Sequence, residues 1–407
     1  MPPARTSTPV AGDPAVREPV VGDPEHRAKH PEFYLSEHAT SEAQLAEYKL
    51  FWRDHYSWLK DCGYLLRPRY SPDWTASWKG DRRLAFSAED HISPPVRSAT
   101  LLDATRISDS SYVILKQSDH YDPASPVRFH VFREVYMFHK FSTEPLASDP
   151  KNHCIRLSEV IHVPDNDNMD LIVMPLLFDW TKFRFMTIGE VANFFSQIFE
   201  GLQFMHNNNV WHGDCKWNNI MMDASPLIPP GVAVHPLDPE MTWDYRREVR
   251  FRNRTENPVK YYWIDFDLSG EHDPSTGPAL VEPRYGGTRY VPEFAFPDQM
   301  CNPFAVDIWC LGFMIQVYFT EKKQGFEFMK PLVADMVHQD PTKRPNMDEV
   351  VRRFSEIKVS LSEWKLRSRF VLEGENPVLG IFRSTRHWAR QLGFVARHIP
   401  AIPTPRS

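Results

Sequence analysis

Cysteine is scarce and nowhere paired. Cys62, Cys154, Cys215, Cys301 and Cys310 form no C-x-x-C and no paired-ligand zinc spacing with the histidines. That excludes a disulfide framework and a zinc module and leaves reduced thiols. A basic excess is missing too: the net charge is −6, whereas general nucleic-acid binders usually carry a positive one. No apolar core follows a basic start at the N-terminus, and the apolar runs read as shorter than the roughly 18 residues of a membrane span. Secretion and membrane insertion are therefore not expected. The expectation is an intracellular protein, with cytoplasm and nucleus undistinguished. Glycine is short as well, with 17 residues against 36 prolines.

What is present is core material. With 42% hydrophobic and 13% aromatic residues, 407 residues suffice for one large or two ordinary domains. Residues 1–31 hold seven prolines and almost no large apolar side chains, so they read as a disordered arm. Residues 32–97 read as a helix followed by an extended wrap. Ser41-Glu-Ala-Gln44 has capping-box spacing, and Leu45, Tyr48, Trp52, His55 and Leu59 share a face up to the Gly63 stop. From residue 98 the pattern turns to short strands. Leu101 to Ile107 and Tyr112-Val-Ile-Leu-Lys116 flank the turn Ser108-Asp-Ser-Ser111 as a hairpin. Thr187-Ile-Gly-Glu190 is a second capping box, after which Ile188, Val191, Phe195, Ile198, Leu202 and Met205 mark one face of a long helix. Residues 307–319 are apolar on nearly all sides, as a buried central helix should be, and Asn346-Met-Asp-Glu349 caps a later one.

The long helix runs into Val210-Trp-His212-Gly213-Asp214-Cys215-Lys216-Trp217-Asn218-Asn219. The spacing H-x-D-x-K-x-x-N resembles the catalytic loop of protein kinases and related phosphotransferases. The chemistry explains the residue types. Asp214 can accept the proton of an incoming hydroxyl. Lys216 can offset charge on a transferred phosphoryl, and the Asn219 carbonyl can hold Mg²⁺ against phosphates. Further matches follow in order: Ile264-Asp265-Phe266-Asp267, Gly287-Thr288-Arg289-Tyr290-Val291-Pro292-Glu293, Asp307-Ile-Trp-Cys-Leu-Gly312 and Asp340-Pro-Thr-Lys-Arg344-Pro. Upstream, Lys116 ends a strand, and Glu134 lies eighteen residues later in a helical stretch, a spacing that suits the strand-lysine to helix-glutamate ion pair of a kinase small lobe. Leu171-Ile-Val-Met174-Pro175-Leu-Leu177 is an apolar strand resembling the last small-lobe strand and the hinge. There the Pro175 C=O and Leu177 N–H are the candidate adenine partners, with Met174 behind the base.

Residues from about 41 to 370 resemble a family of fungal protein-kinase-like proteins. The carrying phrases include Phe51-Trp-Arg-Asp-His, Gly63-Tyr-Leu-Leu-Arg-Pro-Arg-Tyr, Asp103-Ala-Thr-Arg-Ile-Ser-Asp, Val173-Met-Pro-Leu-Leu, Asn219-Ile-Met-Met-Asp and Lys260-Tyr-Tyr-Trp-Ile-Asp-Phe. The resemblance implies a bilobal α+β fold, with a β-rich small lobe over 98–177 and a mainly helical large lobe over 178–370. It further implies ATP and Mg²⁺ as cofactors and hydroxyl-phosphorylating chemistry, while Thr288, which resembles the Thr that buttresses the catalytic Asp in Ser/Thr kinases, favours a protein Ser/Thr acceptor. Carried over by motif, Asp214 would be the base, Lys216 the phosphate-neutralising group, and Asn219 and Asp265 the metal ligands. Lys116 would contact the α/β-phosphates, held by Glu134. Glu293 with Arg344 would tie the activation segment to the large lobe, and Asp307 would brace the catalytic loop.

The chain also departs from that pattern. No G-x-G-x-x-G precedes Lys116, and the hairpin turn offers Asp109, Ser110 and Ser111 instead. Asp267 replaces the Gly that normally follows Asp-Phe, and Gly213 replaces the Arg that commonly reads a phosphorylated activation loop. An insert, 224–258, carries Arg246, Arg247, Arg250, Arg252 and Arg254, a candidate face for an acidic partner. These departures keep two other readings open: a pseudokinase binding module, and a small-molecule kinase of the aminoglycoside or choline phosphotransferase type, whose H-G-D-x-x-x-x-N this loop also resembles. Beyond 370, Arg383, Arg386, Arg390 and Arg397 interleave with Trp388, Leu392 and Val395 at helical spacing, read as a helix packed on the large lobe in preference to a basic amphipathic docking or membrane-surface helix. Pro400, Pro403 and Pro405 read as a frayed end.

Overall fold

The computed structural model describes Leu45 and residues 49–78, 88–92, 100–119, 130–284, 286, 288–372 and 374–405. The expected arm 1–31, the capping box Ser41-Glu-Ala-Gln44 and Gly287 lie outside these. Five strands form an antiparallel small-lobe sheet: β1 (Tyr64–Leu66), β2 (Leu101–Arg106), β3 (Tyr112–Asp119), β4 (Glu159–His162) and β5 (Met169–Pro175), in the order β1-β2-β3-β5-β4. Tyr64–Leu66, expected within the irregular wrap, is thus an edge strand of this sheet. Two short helices precede it, α1 (Leu50–Asp54) and α2 (Tyr56–Asp61). Trp52 and Leu59 from their shared face are buried with Leu66, Leu102, Leu115 and Val173 in one apolar cluster, so the helical stripe does pack on the small lobe. Gly63, at φ +94°, ends the helical segment in the left-handed conformation that glycine takes without penalty.

Helix α3 (His130–Ser142) follows the hairpin strands, and the large lobe is built on α4 (Ile188–Asn207) and α5 (Pro303–Ile315). Thr187 caps α4 by accepting the Glu190 amide at 3.0 Å, and Glu190 reaches back to the Met186 amide at 2.7 Å. The apolar face of α4, Met205 included, is buried, so those residues are core. The stretch Pro303–Thr320, α5 and the π-turn after it, is apolar and long enough to cross a membrane by composition, contrary to the expectation of no such run. Most of it is nevertheless buried inside the lobe, and it carries the buried Asp307 in its second turn. Three more helices complete the lobe: α6 (Lys330–Met336), α7 (Met347–Ser360), capped by Asn346, and α8 (Glu363–Arg367).

A last helix, α9 (Pro377–Ala396), leads to the described segment 397–405, which is seated on the lobe where sequence placed a loose end. Ala401 and Pro403 are buried, and the Ala401 carbonyl lies where a Cβ on Gly189 would come within 2.0 Å of it. A bare α4 backbone at Gly189 is what seats the terminus.

Candidate active site

Two short strand pairs bring the chemical loops together. The first loop, 212–219, connects β7 (Val210–Trp211) to β8 (Ile220–Met222), and the second, 264–269, connects β9 (Tyr261–Trp263) to β10 (Gly270–Glu271). β7 pairs with β10 and β8 with β9, so the loops are clamped at both ends and lie side by side. A third strand, β6 (Phe178–Asp179), continues the β8–β9 sheet. Cross-bonds finish the clamp: Ile264 N–H to Asn219 O at 3.0 Å, His212 Nε2 to Ile264 O at 3.1 Å, and Ser269 Oγ to His212 O at 2.8 Å.

Within the first loop Asp214 is buried, and its Oδ2 accepts from Asn219 Nδ2 at 2.8 Å and pairs with the Lys216 ammonium. The Asn219 amide also donates to the Asp214 carbonyl at 3.0 Å, so its N–H₂ faces the loop and its oxygen is left for another partner. Below the loop, Asp307 of α5 is fully buried. It accepts from the backbone amides of His212 (2.7 Å) and Gly213 (2.8 Å) and meets His206 Nε2 at 3.0 Å. His206, in the last turn of α4, was not singled out from the sequence; a histidine closing an apolar helix face just before the loop was the available signal.

In the second loop Asp265 adopts φ +68°, a left-handed conformation that Asp tolerates better than most residues. That twist sends Phe266 into the core, against Phe138 at 5.2 Å and Phe141 at 5.8 Å of α3. The Asp265 carboxylate turns to Lys116: the ammonium on β3 lies 2.6 Å from Glu134 Oε1 and 3.1 Å from Asp265 Oδ1. Burial alone would lower the Lys116 pKa, but the charges of Glu134 and Asp265 outweigh it and raise it above the ordinary lysine value. Tyr136 and Lys140, further along α3, both bond the Glu271 carboxylate of β10 at 2.7 Å, which fixes the helix carrying Glu134 against the second loop. Glu271 too escaped the sequence reading, because nothing local marks its partners. Asp267 stands beside Asp265; burial first, then the Asp265 charge, push its carboxyl above the ordinary range against the pull of Lys116.

The strand register moves one feature. Lys116 pairs with Leu101 at the start of β2, whereas Tyr112 and Thr105 close the hairpin at the other end. The Ser108-Asp-Ser-Ser111 turn therefore lies about 13 Å or more from Lys116 along the strand, and is not the segment over the cleft. At the Lys116 end, the Gln117 N–H donates to the Thr100 carbonyl just before β2 at 2.8 Å, and buried Arg67, just after β1, bonds Asp103 at 2.8 Å and the Ile92 carbonyl at 2.7 Å.

At the hinge, Met174 is buried, Pro175 exposed and Leu177 half-buried. Leu176 N–H donates to Tyr112 O on β3 at 3.1 Å. Strand alternation turns the carbonyl of Pro175, the last residue of β5, to the opposite edge, and Leu177 follows just beyond the strand. The Arg344 guanidinium forks onto both Glu293 oxygens at 2.7 Å and also bonds the Ala305 and His338 carbonyls. In the insert, Arg246, Arg247, Arg250 and Arg252 are exposed, but Arg254 is not part of that surface: it is buried, 4.2 Å over the Phe185 ring.

A five-stranded lobe joined to a helical one, with a lysine, carboxylates and an asparagine converging from four segments, defines a kinase-type protein. Residues 97–327 match the protein kinase domain family model, more than half of the chain, and the chain belongs to that family. The matched range leaves out β1 and everything from α6 onward.

Proposed function

We propose that the protein is an ATP-dependent protein kinase that phosphorylates a Ser/Thr hydroxyl. The observation that carries this reading is the Lys116 ammonium held between Glu134 and Asp265, with Asp214 and Asn219 clamped in the neighbouring loop. The donor set suits the cofactor: the Asp265 carboxylate and the Asn219 carbonyl are hard oxygen ligands of the kind Mg²⁺ takes alongside phosphates. Bound Mg-ATP supplies the γ-phosphoryl group. Lys116 is placed to bind the α/β-phosphates, kept fully protonated by its two carboxylate neighbours. Asp214 accepts the acceptor hydroxyl's proton, its orientation fixed by Asn219, and Lys216 balances charge beside it. The Pro175 carbonyl at the end of β5 and the Leu177 amide just beyond it receive the adenine beside Met174. The four exposed insert arginines are interspersed with Glu240, Asp244 and Glu248, which reduces their pull on an acidic partner.

A binding module without turnover is the second reading, favoured by Asp267, whose carboxylate adds negative charge where phosphates would lie. Transfer from radiolabelled ATP to generic basic proteins, with amino sugars as the competing acceptor class, decides among the three. Protein labelling that Asp214→Asn and Asp265→Ala each abolish is the expected result. Full activity in either variant overturns the role given to that residue. Stabilisation by Mg-ATP of about 2.7 kcal/mol at a hundredfold excess over Kd, with no transfer to any acceptor, establishes the module instead.

A further inference from the structure

Helix α9 packs on the large lobe through one face and leaves a second face bare. His387, Gln391 and Phe394, at helical spacing, are buried, and a His387 ring nitrogen meets the Arg367 carbonyl at 2.7 Å. About 130° round the helix, Val378, Ile381, Phe382, Leu392 and Val395 form a stripe exposed to solvent, with Ile381 67% and Phe382 71% exposed. Trp388 belongs to the same stripe. It is half-buried, its ring 5.7 Å from that of the exposed Trp364 on α8. From Val378 to Val395 the stripe runs about 26 Å. A continuous apolar surface of that length marks an interaction site, where single exposed hydrophobic residues do not.

Charge says what covers it. From Asn376 to the end, the chain has five arginines, two histidines and no carboxylate, although its net charge is −6. Arg383, Arg386, Arg390 and Arg397 lie on one flank, adjacent to the Phe382 edge of the stripe; three are exposed, and Arg390 is half-buried against the Met186 sulfur at 3.4 Å. Arg383 is held by Glu375 at 2.7 Å and Arg397 by Glu256 at 2.6 Å, so the flank is fixed in place. A second copy docked face to face would oppose Arg386, and the carboxylate-compensated Arg383 and Arg397, to their own kind. An apolar face bordered by arginines, with two tryptophans among its side chains, instead matches the boundary between lipid headgroups and acyl chains.

We propose that this face of α9, with Trp364, docks the kinase on an anionic lipid surface, the stripe in the headgroup boundary and the arginines among the phosphates. The test is flotation of the full-length protein with vesicles of phosphatidylcholine alone or with about 30% phosphatidylserine, at about 150 mM salt. Binding to the anionic vesicles only is expected. The double variant Ile381→Asp/Phe382→Asp should lower it at least about tenfold while leaving thermal stability unchanged, because both side chains already face solvent. Arg386→Glu should weaken it to a smaller degree. No flotation with anionic vesicles, or flotation that the double variant leaves intact, overturns the proposal. So does a concentration-dependent dimer in sedimentation, lost in the double variant and formed without any vesicle binding, which assigns the stripe to a second copy.

Discussion

Gly213 stands where kinases of the family usually carry arginine, and the structure makes its smallness a requirement. Its backbone has φ +83°, and a Cβ there would come 2.3 Å from the Leu268 carbonyl oxygen and 2.9 Å from its carbon. Both are main-chain atoms of the second loop, so neither can swing aside. Gly213→Ala therefore costs about 1–2 kcal/mol in left-handed strain. It also forces the two loops apart, loosening the charge-assisted bond from Gly213 N–H to Asp307, a further ~1.5–3 kcal/mol. The expected loss in urea unfolding is thus about 2.5–5 kcal/mol. Gly63→Ala is the control. Gly63 has φ +94° but open space around it, so it incurs only the strain, about 1–2 kcal/mol. Phosphoryl transfer by Gly213→Ala should also fall on the order of a hundredfold, since Asp214 is the next residue and a displacement near 1 Å has that effect. If Gly213→Ala proves no less stable than Gly63→Ala, or transfers phosphate at the wild-type rate, the account of the loop clamp is wrong.

Three other outcomes follow from the same geometry. Asp307→Ala strands two buried backbone amides and should cost about 2–5 kcal/mol, read in the same urea experiment; a loss under 1 kcal/mol refutes the bracing role. Arg344→Ala leaves Glu293 partly buried without its partner, a change expected to cost about 3–5 kcal/mol and to increase proteolysis of the segment before Glu293. Asp267 has a folded-state pKa above its ordinary value of 3.8, so the folded protein takes up this proton more readily than the unfolded chain. Its charge therefore costs stability above that range, and the cost disappears as pH falls through it. Asp267→Asn should raise the melting temperature at pH 7 and lose that advantage on approach to pH 4; an advantage undiminished at pH 4 contradicts the assignment.

The geometry of the candidate catalytic loop was legible because its information is local: Asp214, Lys216 and Asn219 lie within six residues, and their mutual bonds span two to five positions. Helix caps at Thr187 and Asn346 were legible for the same reason. Lys116 and Glu134 were separable from chance only in company with the downstream motifs. Arg254 reads like its neighbours in an arginine-rich run, and only the fold puts the Phe185 ring beneath it. The misplaced turn at Ser108-Asp-Ser-Ser111 shows the same limit. Its residues announce a turn, but which end of the sheet it occupies depends on pairing with β1, a three-residue strand too short to show alternation.

By itself, then, the amino-acid order determined which side chains of this kinase-family chain are candidates for phosphoryl transfer and in what sequence they come. It did so because an octet of loop residues, or one turn of helix, fixes its own spacing through bonds between near neighbours. Tertiary structure alone decided that Asp265 reaches Lys116, that Gly213 admits no side chain, that the terminus is seated on Gly189, and that α9 turns an apolar face to solvent. Each of these rests on contact between segments tens to hundreds of residues apart, made when strands pair and helices bury, and no local pattern encodes it.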